Sequence, residues 1–305
     1  MKQLFLFGAG ASAGSVPCHP EVPPVGAKLI RPLLPFLRVR TLIDIDLLKL
    51  FETNFELGMH EFWTRHPGAM QHFIRDMAYY FSRFSPEPGN HYIELVRTIK
   101  TKHHEVLLST LNYEMLIEAA ITICGSTVAY EGHGSGSTGD FTLLKLHGSC
   151  NFLPDLGGGS ISGISLAVGP PDPAYRSMAI AAHSRPERDM NKVRKFLQEE
   201  DVLAPEMAVY HKDKTILFGD YRNGERWQAQ WRDFLADADQ LFVIGTSLVE
   251  HDTHIWDAVK TFRGTLCWVS PDPGAAQSWC STYGVRFEHT ASTFEKFVPI
   301  YNSRY

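Results

Sequence analysis

Cysteine is scarce in this 305-residue chain, and the few present are arranged to exclude two architectures. There are five, Cys18, Cys124, Cys150, Cys267 and Cys280, an odd number with no C-x-x-C pair. That pattern argues against a disulfide framework and against a structural zinc ribbon, and it fits a reducing, cytoplasmic setting. A basic excess is also missing. Lys and Arg total 29 against 34 Asp and Glu, a formal charge of −5, so direct nucleic-acid binding is not expected. No apolar run approaches the ~18 residues that a membrane span needs. Internal repeats are absent, and the only low-complexity stretch is "GGGSISGIS".

What remains is ordinary globular composition, 44% hydrophobic and 21% charged. The length suits one large domain, residues 1–305, carrying insertions. Short apolar runs flanked by turn residues recur: "QLFLFG", "EVLLST" ending at Thr110, "FTLLKLHG" ending at Gly148, "KTILFG" ending at Gly219, "QLFVIGTS" ending at Ser247 and "GTLCWVS" ending at Ser270. Runs of this kind are strands buried on both faces of a parallel sheet. Helical spacing follows two of them, in "NYEMLIEAAITI" and "HDTHIWDAVKTF". The alternation predicts an α/β fold with a doubly wound, mostly parallel sheet. Residues 27–102 break the pattern with Leu, Phe and His at helical spacing and are expected to form a helical insertion. Residues 151–205 run from a Gly/Ser loop into a charged helix and are expected to form a lid.

The opening "MKQLFLFGAGASAGSVP" supports two readings. As a secretory signal, Ala11-Ser12-Ala13 would be the cleavage site. A signal needs an apolar core of about 7–15 residues, whereas here the run stops at Phe7 and meets Gly8 and Gly10. As a loop, Gly8-x-Gly10-x-x-Ala13 matches the form whose backbone N–H groups hold a pyrophosphate. The glycines are then expected to supply positive φ and close backbone approach. An ordinary dinucleotide fold places an acidic residue about 20 positions on. Here Pro17, Pro20, Pro23 and Pro24 intervene, so this is a nucleotide loop of another lineage or not one at all.

Further motifs stand at strand ends. "STLNYE" offers Thr110, Asn112 and Glu114; "KLHGS" offers His147; "FVIGTSL" offers Gly245, Thr246 and Ser247. Ligands bind outside the carboxyl ends of such strands, so these motifs describe one crevice. Taken alone, Asn112 reads as a turn former, and a single His among 14 as a structural side chain. His251, Asp252 and His254 suggest a metal by spacing, but with no third ligand in view they read as a solvated helix start. Tyr79, Tyr80 and Phe81 read as core or oligomer interface.

In order, "GAGAS", "TLNYE", "KLHGS", "LFGD" and "ADQLFVIGTSL" resemble the sirtuin superfamily, in particular the SIR2-like proteins of bacterial antiphage defence. The resemblance covers the Rossmann-like core, from about Lys2 to Gly26 and from Val106 onward, but not the helical insertion. It implies that Gly8, Ala9, Gly10 and Ser12 hold NAD phosphates and that Asn112 and His147 are the catalytic pair. By the same resemblance Thr110, Glu114, Gly245, Thr246 and Ser247 contact the cofactor, with Ser270 and Asp272 on the adenosine side. Several departures from sirtuin deacylases accompany it. Only Cys150 lies where a zinc ribbon would be, so no zinc is expected. Pro17 is followed by Cys18-His19-Pro20 rather than Asp-Phe-Arg, and Glu114 takes an aspartate's place. "TILFGDY", with Asp220, echoes the segment that pairs with acyl-lysine peptide.

The activity so implied is hydrolysis of NAD to nicotinamide and ADP-ribose, depleting NAD in antiphage defence. A deacylase or ADP-ribosyltransferase and a non-catalytic NAD sensor are the alternatives. Length and analogy add a homo-oligomer or a partner, a HerA-like ATPase or an Argonaute-type protein, as the expected trigger. Cleaving the nicotinamide–ribose bond builds positive charge on the ribose, which asks for fixed geometry and a proton acceptor. An Asn amide can orient a hydroxyl or water through two different groups, and a His titrates near neutrality.

Overall fold

The computed structural model describes residues 1–130, 139–155, 183–199, 203–208, 221–248 and 252–305. Its strands are β1 (Lys2–Phe7), the two-residue β2 (Cys18–His19) and β3 (Ser85–Pro86), β4 (Glu105–Thr110), β5 (Val128–Tyr130), β6 (Phe141–Lys145), β7 (Phe152–Asp155), β8 (His183–Pro186), β9 (Gln240–Ile244), β10 (Thr265–Val269) and β11 (Arg286–Ala291). Seven of them form one sheet in the order β11-β10-β9-β1-β4-β6-β5, every neighbouring pair parallel. The expected doubly wound α/β sheet is present. Its middle is apolar on both faces: Leu4 to Phe7, Leu241 to Ile244 and Leu266 to Val269 are all buried, as a sheet covered by helices on each side requires.

Register decides where the motifs go. Phe7 pairs with Thr110 on one side and Ile244 on the other; Thr110 pairs with Lys145, and Ile244 with Val269. The last residues of five adjacent strands therefore stand in one row. Whatever follows each of them emerges at the same edge of the sheet.

The helices are α1 (Ala9–Ala13), α2 (Ile30–Leu33), α3 (Ile45–Thr53), α4 (Phe55–Arg65), α5 (Met70–Phe81), α6 (His91–Thr101), α7 (Leu116–Ile123), α8 (Met190–Glu199), α9 (Tyr221–Asp237), α10 (Thr253–Val259), α11 (Gly274–Tyr283) and α12 (Phe294–Arg304). Three helices of the stretch between β1 and β4 start on a side-chain cap. Asp44 caps α3, Asn54 caps α4 and Asn90 caps α6, each carbonyl or carboxylate oxygen accepting from first-turn amides. The last of these, α6, packs against α7 and α12 of the sheet layer. In residues 151–205, β7 pairs antiparallel with β8, and α8 packs on α5. Arg75 of α5, fully buried, ties that contact by donating to the carbonyls of Leu197 and Leu203.

Two details differ from the sequence reading. β5 and β11 are not among the apolar runs: one has only three residues, and the other is an edge strand buried only at its last two positions. β6 ends at Lys145 rather than Gly148. The "KTILFG" run and Asp220 lie outside the described residues, as does His251. Among the described residues no helix is long and apolar enough to cross a membrane.

Candidate active site

The loop after β1 is pinned to the end of β9. Gly8 donates its N–H to the carbonyl of Ile244 at 2.9 Å, and Gly10 donates to that of Gly245 at 2.8 Å. Positive φ is not what Gly8 supplies, contrary to expectation; its φ is −107°. Space is the constraint. A Cβ on Gly8 would stand 2.5 Å from Thr246 Oγ1, and one on Gly10 2.9 Å from the Gly245 carbonyl. The positive φ belongs to Gly245, at +63°, where a Cβ would also run into the Ala11 amide. Ala9 begins α1, where an N–H has no acceptor within the helix.

Asn112 closes the loop from the other side. Its Nδ2 donates to the Gly8 carbonyl at 2.9 Å and to Ser12 Oγ at 2.8 Å. A carbonyl only accepts, so the nitrogen must face Gly8, leaving Oδ1 for the cavity that Asn112 lines. Thr110 sits beneath. Its hydroxyl donates to the Phe7 carbonyl and accepts from the Asn112 amide, and it holds the turn rather than lining the cavity.

Ser12 is a hub. Its hydroxyl donates to Glu114, accepts from Asn112, and lies 3.1 Å from the Tyr92 hydroxyl. With one hydrogen and two lone pairs, it is then fully engaged within the protein. The Glu114 carboxylate also accepts from the Leu116 amide at 2.8 Å, at the start of α7. Tyr92, from α6, carries no sequence signal that marks it; burial, with the Glu114 charge beside it, pushes its hydroxyl well above the usual tyrosine range. Under this network Lys145, buried, donates to the Glu114 carbonyl at 2.6 Å and pairs with Glu118 at 3.1 Å. Burial raises the Glu118 carboxyl, and Lys145 draws it partly back.

His147 follows β6 by two residues. Its carbonyl accepts from the Ala208 amide at 2.8 Å, and Ser149 donates to the Glu206 carbonyl at 2.9 Å, so residues 203–208 brace this turn. The His147 Nε2 lies 3.9 Å from Asp252 Oδ1, and its ring centroid is 5.4 Å from that of His254. Spacing alone gives Asp252 and His254 no third polar neighbour; the fold sets His147, more than a hundred positions away, beside them.

The glycine loop and the strand ends around it open on one cavity of about 590 Å³. One wall is the row of strand ends: Gly8, Ala9, Gly10, Ser12, Asn112, Glu114, His147, Gly245, Thr246, Ser247 and Ser270. Of the catalytic and cofactor-contacting residues expected from sequence, Thr110 and Asp272 are not on it; Asp272 instead accepts from the Gly274 amide at 3.0 Å ahead of α11. Thr246 Oγ1 is buried and has no hydrogen-bond partner among the described residues, so it is free to meet a ligand. The helical stretch contributes Leu29, Phe55, Met59, Met77 and Phe81 to the lining, with Glu56 among them. Phe81, read in sequence as core or interface, is buried in the core and also lines the cavity, with its ring 5.7 Å from that of Tyr113.

A solved Sir2 homologue in complex with NAD matches this chain with a TM-score of 0.50 at 16% identity, over 99% of this chain and 90% of that one. The chain has the Sir2 fold. A serine-to-alanine and a phenylalanine-to-alanine variant of a Sir2 homologue, each with ADP-ribose, give TM-scores of 0.48 at 15% identity over 99% of this chain and 92% of theirs. No protein-family model matches the chain, and no curated protein does.

Proposed function

We propose that this protein binds NAD+ in the cavity and hydrolyses its nicotinamide–ribose bond. The observation that carries the reading is the row of strand ends. It sets a glycine loop, an anchored amide and an imidazole around one cavity of about 590 Å³, a size suited to a nucleotide-scale ligand. The Sir2 homologue of the same fold that holds NAD supports the choice of ligand.

In this reading the N–H of Ala9, at the exposed start of α1, donates to a phosphate, and the Thr246 hydroxyl takes a polar group beside it. Nicotinamide departs as a neutral ring while positive charge grows on the ribose. Asn112, its nitrogen committed to Gly8 and Ser12, presents Oδ1 to the ribose hydroxyl or the entering water. His147 accepts the proton that water gives up as its oxygen bonds to the anomeric carbon, so the products are nicotinamide, ADP-ribose and one proton. Ser12 and Glu114 act by holding the loop. The shared motif order supports NAD depletion in antiphage defence as the cellular outcome, in the cytoplasm and gated by a homo-oligomer or a defence partner.

The test is nicotinamide release from NAD+ by purified chain at high concentration, with and without acetyl-lysine peptide, beside Asn112→Ala and His147→Ala. Peptide-independent release lost in both variants is expected. Release that requires peptide moves the activity to deacylation. NAD+ binding without turnover, unchanged in His147→Ala, makes the chain a sensor.

A further inference from the structure

Two imidazoles and a carboxylate converge on the cavity wall from different parts of the chain. The nearest ligand atoms of His147, Asp252 and His254 all lie within 4.8 Å of one another, and no other such trio occurs among the described residues. Asp252, buried at the N-cap of α10, has its Oδ1 3.9 Å from His147 Nε2, too far for a hydrogen bond between the two. Ligand atoms about 2.0–2.2 Å from a tetrahedral ion stand about 3.4 Å apart, so the pair has to close by about 0.5 Å to share one. His254 is half buried, its ring centroid 5.4 Å from that of His147.

We propose that His147, Asp252 and His254 bind one divalent ion of the zinc class. Two imidazole nitrogens and one carboxylate favour borderline transition ions over Mg2+ or Ca2+, which prefer all-oxygen shells. Three protein ligands leave a fourth position for water on the cavity side. An ion there occupies the His147 lone pair and removes it as a proton acceptor, so the metal-loaded protein is the inactive form. That consequence rests on the role proposed for His147; the ion site itself does not.

The test begins with full-length, chelator-treated protein titrated with Co2+ in the absence of NAD+. One Co2+ per chain is expected, with the visible absorption of four-coordinate cobalt, displaced by Zn2+. Asp252→Asn and His254→Ala should each weaken uptake at least about tenfold, with circular dichroism confirming that the variants fold. No uptake, or uptake unchanged in both variants, overturns the site. Nicotinamide release is then followed against Zn2+. Inhibition is expected, with the half-inhibiting concentration at least about tenfold higher in His254→Ala than in the unaltered protein. Zn2+ that accelerates release retains the site and overturns the inhibitory role. If the protein cleaves no NAD+, the cobalt titration still decides the site.

Discussion

The amide nitrogen of Asn112 lies 2.9 Å from the carbonyl oxygen of Gly8, joining the end of β4 to the loop that leaves β1. One side chain thus fixes the shape of the loop and, through its other end, faces the cavity.

Replacing that amide by a carboxylate sets two acceptors against each other. Asn112→Asp keeps the size of the side chain but cannot donate to Gly8 or Ser12. Nicotinamide release should fall at least about a hundredfold, since small misplacement at a reacting centre costs that much. A variant that turns over normally would show that the contact to Gly8 does not set the site.

Ser12 should behave as a support rather than a phosphate contact. Ser12→Ala leaves the Glu114 carboxylate and the Tyr92 hydroxyl without their shared partner inside the protein. Urea denaturation should show a loss of about 1–3 kcal/mol alongside any loss of turnover. Unchanged stability with weaker NAD+ binding would make Ser12 a ligand contact instead.

At Gly245 two costs coincide, a φ of +63° and a Cβ driven into the Ala11 amide. Gly26 shares the first without the second: its φ is +48° and nothing lies within 4 Å of its Cβ position. Gly245→Ala should therefore destabilise the protein well beyond Gly26→Ala, whose cost is backbone strain of about 1 kcal/mol. Equal melting points for the two would mean that crowding at the loop is relieved easily.

Burial holds the Glu118 carboxyl above its ordinary value of 4.5, despite Lys145. The folded state then binds more protons than the unfolded state between that value and the raised one. This contribution to stability is fully present below pH 4.5 and is lost as pH rises through the folded pKa. Glu118→Gln removes the titration, so melting curves from acid to neutral pH should show the variant gaining on the unaltered protein as pH rises. Lys145→Met, by contrast, strands the buried carboxylate and should cost about 3–5 kcal/mol at neutral pH.

Sequence alone determined the sheet and its ligand edge. Runs such as "LFLF" and "LFVI" are apolar at every position, and only a strand covered on both faces buries them, so parallel strands and their polar carboxyl ends could be read directly. Asn112, His147 and the Gly8–Ser12 loop were legible because each sits within a few positions of such a run. The rest depended on register and on contacts between distant segments. Pairing Phe7 with Thr110 and Ile244 is what makes several strand ends a single wall. Gly8 is there for the space Thr246 occupies, more than two hundred residues away, not for its own torsion. Tyr92 and Phe81 lie in helices whose periodicity reports only that a face is buried, not whether it meets core or cavity. His147 joins Asp252 and His254 only once β6 and the start of α10 are brought to the same edge, since local spacing carries no information about what the sheet will set side by side.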